Sequence, residues 1–172
     1  MIINESGMSF GDFAPGLCFH IENSSVYKRI QNSIKTAEFV LLRLREQKPP
    51  EILIVEAKSS APHPHSEDNF NEYVAAIKDK FVNTLSLTLA CCLHRHYEFA
   101  HELPAGFQDL DLSKVNVKFV LVVRGWANNW LQPLHDVFNK EMSGTAKIWH
   151  LTSPSAVVLN DELARRHGLI AN

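Results

Sequence analysis

Cysteine is scarce in this chain, and so is net charge. Cys18, Cys91 and Cys92 are the three cysteines, two of them adjacent, which is too few and too crowded for a disulfide framework. With no apolar signal-peptide core among the first residues, reduced thiols and a cytoplasmic location are expected. No apolar run reaches the length needed to cross a bilayer, so no membrane partner is expected. Lysine and arginine number 17 against 19 acidic residues, a net charge of −2, so the global basicity of strong nucleic-acid binders is missing and any phosphate-binding surface must be local. Internal repeats, low-complexity tracts, helix-turn-helix patterns and zinc fingers are also missing. What remains is a chain of 172 residues that is 45% hydrophobic, enough for a single sizeable core. One domain over residues 1–172 is expected, with residues 1–15 as an N-terminal arm.

The apolar periods lay out the elements. Residues 1–15, with Gly7, Gly11, Asp12 and Pro15, are turn-rich and predict an arm with one short strand at most, lying over a sheet edge. Residues 17–22 look like a strand, followed by polar Asn23-Ser24-Ser25 and an undecided stretch to Lys35. Residues 37–42 and 52–58 predict two neighbouring strands separated by Pro49-Pro50. Asn69 with Glu72 resembles a capping pair, and Phe70, Val74, Ile77, Phe81, Leu85, Leu89, Cys92 and His96 then recur at the spacing of a long amphipathic helix. Its opposite face carries Lys78, Asp79, Lys80 and Asn83. Residues 101–113 form a connection and 115–123 a strong strand closed by Arg124-Gly125. A helix with Trp130, Leu134, Val137 and Phe138 inward is expected to end near Ser143-Gly144, followed by a last strand at 147–151. Residues 160–167 predict a short capped helix stopped by Gly168. This order describes an α/β sandwich with a mixed sheet.

The chemistry concentrates in Ile52-Leu53-Ile54-Val55-Glu56-Ala57-Lys58. Four consecutive apolar residues indicate a strand buried on both faces, and side chains two apart share a face, so Glu56 and Lys58 emerge together at the end of a core element. Such charges need partners. Glu38, embedded in the neighbouring β-like run, can converge on them.

Glu38, a gap, and Glu56-Ala57-Lys58 resemble the active-site pattern of the PD-(D/E)xK nuclease-like, or restriction-endonuclease-like, superfamily. The resemblance implies a three-layer α/β/α sandwich with a central mixed sheet, spanning roughly residues 17–159. It implies a divalent cation, Mg²⁺ or Mn²⁺, held by Glu38, Glu56 and the Ala57 backbone carbonyl, with Lys58 as the catalytic lysine. Glu22 is a possible third acid, and Ser60, Lys78 and Lys80 are candidate phosphate contacts, with Ser59 beside them. The family core begins with a helix before its first strand, whereas here only the turn-rich residues 1–15 stand there.

Other groups admit plainer roles. His63 and His65 can act as proton carriers or be loop histidines. Trp126 and Trp130 with Arg124 can stack on bases or pack in the core. Cys91, Cys92, His94 and His96 cannot converge on zinc from one helix, because Cys91 and His94 point away from the face shared by Cys92 and His96. Two functions stay open. The first is a Mg²⁺-dependent endonuclease or exonuclease acting on nucleic acid, DNA ahead of RNA, as a homodimer where both strands are cut. The second is a catalytically inactive module of nuclease fold that binds nucleic acid or a protein partner, with Glu38, Glu56 and Lys58 as an internal ion-pair cluster.

Overall fold

Two runs buried at every position set the frame, residues 52–57, apolar but for Glu56, and the wholly apolar residues 119–123. The computed structural model describes residues 1–63 and 66–171. Along the chain these give β1 (Ile3–Glu5), β2 (Met8–Phe10), β3 (Cys18–Phe19), α1 (Ser25–Lys28), β4 (Phe39–Arg43), β5 (Glu51–Lys58), α2 (Glu67–Cys92), α3 (Ala105–Gln108), β6 (Asn116–Val123), α4 (Asn128–Ile148), β7 (Ala156–Asn160) and α5 (Asp161–Arg166). Strands β3 to β7 form one five-stranded sheet in sequential order. The β3–β4 and β4–β5 pairs are antiparallel, while the β5–β6 and β6–β7 pairs are parallel. The protein is therefore α/β with a mixed sheet.

Continuous apolar strands imply cover on both faces, and both faces are covered. On one, Val40, Leu42, Ile52, Ile54, Phe119 and Leu121 pack with Phe70, Val74, Ile77, Phe81 and Leu85 of α2 and with Leu134, Phe138 and Met142 of α4. On the other, Phe39, Leu41, Leu53, Val55, Val120 and Val122 meet Ile3, Met8 and Phe10 of the β1–β2 hairpin and Ala164 of α5. The arm thus lies on a sheet face and not over an edge. Phe10 and Phe13 bring their rings to 5.3 and 5.5 Å from Phe39, and the hairpin turns through Ser6 and Gly7, both at positive φ. A side chain at Gly7 would run into the Arg124 guanidinium.

Several expectations are corrected. The first strand shrinks to Cys18–Phe19 because Ile21–Asn23 folds into a 3₁₀ turn, held by the Ser24 hydroxyl donating to the Ile21 carbonyl at 2.6 Å. α2 opens at Glu67 with Ser66 as its N-cap, ahead of the Asn69–Glu72 pair, and stops at Cys92, so His96 lies beyond it. α4 runs through Gly144, since one helical glycine costs only about 1 kcal/mol while the buried series Leu131, Leu134, Phe138 and Met142 rewards continuation. Residues 147–151 are consequently its C-terminal end, closed by His150 at φ 50° and a Leu151 N–H to Ala146 carbonyl bond of 2.9 Å. The last strand is Ala156–Asn160 instead, and α5 with Gly168 at φ 67° follows as anticipated.

Candidate functional site

Antiparallel pairing aligns Phe39 with Val55, and the Glu38 N–H donates to the Val55 carbonyl at 3.1 Å. One step further along this register Glu38 stands opposite Glu56, and both belong to the face covered by α2. Glu56 is fully buried and Glu38 nearly so. The Lys58 ammonium, two residues on from Glu56 and on the same face, contacts Glu56 Oε1 at 2.6 Å. A second ammonium, Lys80 of α2, reaches that same oxygen at 2.7 Å. One turn on, the Thr84 hydroxyl donates to the Lys80 backbone carbonyl and accepts the Ala37 N–H, both at 2.7 Å, fastening α2 to the segment leading into β4.

Glu56 Oε2 has no hydrogen-bond partner among the described residues, although it is buried. A buried acceptor left this way costs on the order of 1–3 kcal/mol, and more when charged. The charge of Glu56 acts on two members of a group of acids, Glu5, Glu22 and Glu38, in which one carboxylate oxygen of each lies within 4.8 Å of the other two. Burial, a hydrogen bond to Glu22 and the charges of Glu56 and Glu22 push the Glu38 carboxyl up to about 9, against the opposing pull of Lys80. Burial also raises Glu5, reinforced by Glu22 and Glu56 and opposed by Lys80 and Lys58. For Lys80, burial works against the charge, but Glu56, Glu38 and Glu22 outweigh it and the net shift is upward. Tyr73, whose buried hydroxyl has no hydrogen-bond partner among the described residues, is raised by burial and by the charge of Glu56.

The predicted residues Glu38, Glu56 and Lys58 are thus brought together, and Glu22 with them, presented by the 3₁₀ turn after β3. Two of the predicted phosphate contacts are placed otherwise. Lys80 faces inward onto Glu56, because it follows Ile77 by three positions and borders the buried stripe of α2. Lys78 turns to α4 and pairs with Glu141 at 3.3 Å. Ser59 and Ser60 are exposed just past β5. The Ala57 carbonyl accepts the Ser6 hydroxyl at 3.0 Å, which uses one of its two lone pairs. Trp126 is buried in the core, with Trp130 edge-on to it at 5.2 Å and His63 edge-on to Trp130 at 4.5 Å, so Trp126 offers no open stacking face. His65 lies outside the described residues.

Glu5 and Ser6 are the site residues that sequence reasoning missed. Both sit at the hairpin turn, and the only local cue is the Ser6-Gly7 turn that sends the chain back on itself.

A hard divalent cation fits this donor set. Carboxylate oxygens are its preferred ligands, Glu56 Oε2 has no hydrogen-bond donor among the described residues, and three mutually repelling acids share one small volume. No family model matches the chain, and no curated protein or solved structure matches it significantly. Among the described residues, no helix is long and apolar enough to cross a membrane.

Proposed function

We propose that this protein is a metal-dependent, nuclease-like enzyme with a restriction-endonuclease-like core, hydrolysing nucleic-acid phosphodiester bonds with DNA ahead of RNA. The observation that carries this reading is the buried, unpartnered Oε2 of Glu56 opposite Glu38, with Lys58 on the same face. An ion pair built only for stability would leave no buried acceptor open, and buried pairs seldom repay their desolvation.

Glu38 and Glu56, with the second lone pair of the Ala57 carbonyl, would hold Mg²⁺ or Mn²⁺. When bound, the ion supplies Lewis-acid stabilisation of phosphoryl charge and acidifies water. Lys58, partly exposed while its ammonium is tied to Glu56, orients the attacking water and offsets negative charge on the phosphoryl oxygens. Lys80 shares Glu56 Oε1 with Lys58, which leaves Oε2 without a donor among the described residues. Cutting both strands of a duplex with one such site per chain calls for a homodimer.

Plasmid and single-stranded DNA incubated with Mg²⁺ or Mn²⁺ test the reading. Wild type is expected to cleave both in a metal-dependent way, with Lys58→Ala slower by about 10²-fold or more, the range for loss of a group assisting proton transfer. Equal, metal-independent behaviour of the two proteins would remove the enzyme reading. The convergence of Lys58 and Lys80 on one oxygen of Glu56 favours a second reading, a non-catalytic module with an internal charge cluster that binds nucleic acid or protein. Calorimetric titration with Mg²⁺ separates the two, since that module would show no binding dependent on Glu56.

A further inference from the structure

We infer that the β1–β2 hairpin is a wall of the cation site and that Glu5 is one of the ligands. This rests on the metal-dependent function proposed above. The hairpin is anchored without Glu5: Ile3, Met8 and Phe10 are buried against the sheet, and Ser6 is hydrogen-bonded to Ala57. Yet Glu5, on the same side of β1 as Ile3, carries a carboxylate into partial burial beside Glu22 and Glu38. Nothing in hairpin packing asks for a negative charge there, and the neighbouring acids repel it.

A cation would repay that cost: one carboxylate oxygen from each of Glu5, Glu22 and Glu38 lies within 4.8 Å of the other two, while the ammoniums of Lys58 and Lys80 are both turned to Glu56 Oε1. The buried Oε2 of Glu56, open and close enough for its charge to act on both Glu5 and Glu38, is independent of the three-acid cluster and asks for the same partner. An all-oxygen set of this kind selects a hard ion of the Mg²⁺ or Mn²⁺ class. Glu5 would therefore join Glu38 in holding the ion, and the hairpin, packed on the sheet face opposite α2, would bound the site from that side.

Mn²⁺ titrated into the full-length chain, with free Mn²⁺ followed by electron paramagnetic resonance, tests this without relying on turnover. Wild type is expected to take up one ion per chain. Glu5→Gln should weaken uptake by about tenfold or more, as loss of one ligand charge predicts, and Glu5→Asp should recover part of it. In EDTA, Glu5→Gln should melt at the wild-type temperature or above it, because a repelled charge has been removed. Ser9→Ala, on the exposed face of the same hairpin, should bind like wild type. If Glu5→Gln binds like wild type while Glu38→Gln and Glu56→Gln lose the ion, the hairpin inference is overturned and the proposed function stands. A lower melting temperature of Glu5→Gln in EDTA would mark Glu5 as structural and overturn it equally. No uptake by wild type would remove both.

Discussion

Replacing Glu38 by glutamine should flatten the pH dependence of stability of the metal-free protein. The Glu38 carboxyl rises from an ordinary value of 4.5 to about 9 in the fold, because it is buried, hydrogen-bonded to Glu22 and faced by the charge of Glu56. Below pH 4.5 the group is protonated in both folded and unfolded chains, and its favourable contribution to the fold is fully present. Between there and pH 9 the unfolded chain releases the proton and the folded chain keeps it, so stability falls as pH rises, by up to about 1.4 kcal/mol per pH unit. For a chain of this size that corresponds to roughly 3–6 °C of melting temperature per unit. Glu5, also raised, adds to the same trend. His20, lowered chiefly by burial, acts in the opposite sense below its ordinary 6.5, and the upward shift of Lys80 matters only above 10.5. The difference between wild type and Glu38→Gln isolates one group from these. Thermal unfolding in EDTA, followed by far-ultraviolet circular dichroism from pH 5.5 to 8.5, should give a falling line for wild type and a flatter one for the variant. Parallel lines would show that Glu38 titrates normally and that the acids do not share a dry site.

Two further perturbations test the frame that holds the site. Phe81 is fully buried, with its ring 5.4 Å from Phe119 and 5.8 Å from Phe138, joining α2 to β6 and α4; Phe81→Ala should cost about 3–5 kcal/mol in urea unfolding. Asn160 caps α5 by accepting the Leu163 N–H at 2.9 Å, and its amide donates to the Trp126 carbonyl and to Asn128 Oδ1 at 3.0 and 2.8 Å. Asn160→Ala should cost about 1–2 kcal/mol for the cap alone, visible as a lower urea midpoint, and Asn160→Asp should recover the cap but not the two donated bonds.

Legibility followed locality. β4, β5, β6 and the body of α2 could be read from residue order because their apolar runs are long and buried, with Phe39, Ile52 to Val55, Phe119 to Val123 and the Phe70-Val74-Ile77-Phe81 series each in its expected state. Strand β7 could not, because Ile148 and Trp149 are β-favouring side chains, yet the buried series up to Met142 carries α4 on to Ile148 with Trp149 as its C-cap, and the strand forms at Ala156–Asn160 instead. Within the site, Glu38, Glu56 and Lys58 were visible because strand alternation fixes their face from position alone. Glu5 was not, since its place depends on contacts such as Ser6 with Ala57, 51 residues apart, and Phe10 with Phe39. Lys80 departs from the outward face for a related reason: a residue beside the apolar stripe of a helix can turn inward onto a buried carboxylate.

The topology explains why these charges meet at all. β5 is the strand where the sheet changes from antiparallel to parallel pairing. Antiparallel to β5, β4 begins where β5 ends, so a residue just before β4, Glu38, opposes one near the end of β5, Glu56. Parallel to β5, β6 ends at the same place, and the Arg124 N–H donates to the Lys58 carbonyl at 2.9 Å. β7 ends there too, with Asn160 aligned to Val123, and the Asp161 carboxylate accepts the Gly125 N–H at 2.8 Å. Ligands of open α/β sheets gather at the carboxyl ends of parallel strands because the loops diverge there and leave a crevice. In this protein that end of the sheet carries the buried Glu38 and Glu56, with the hairpin turn tied to it through Ser6 and Ala57 and α2 fastened to it through Lys80 and Thr84. A rearrangement that kept every strand but reversed β4 would carry Glu38 to the other end of the sheet. The pairing direction of β4 is therefore as much a part of the site as the residues it brings.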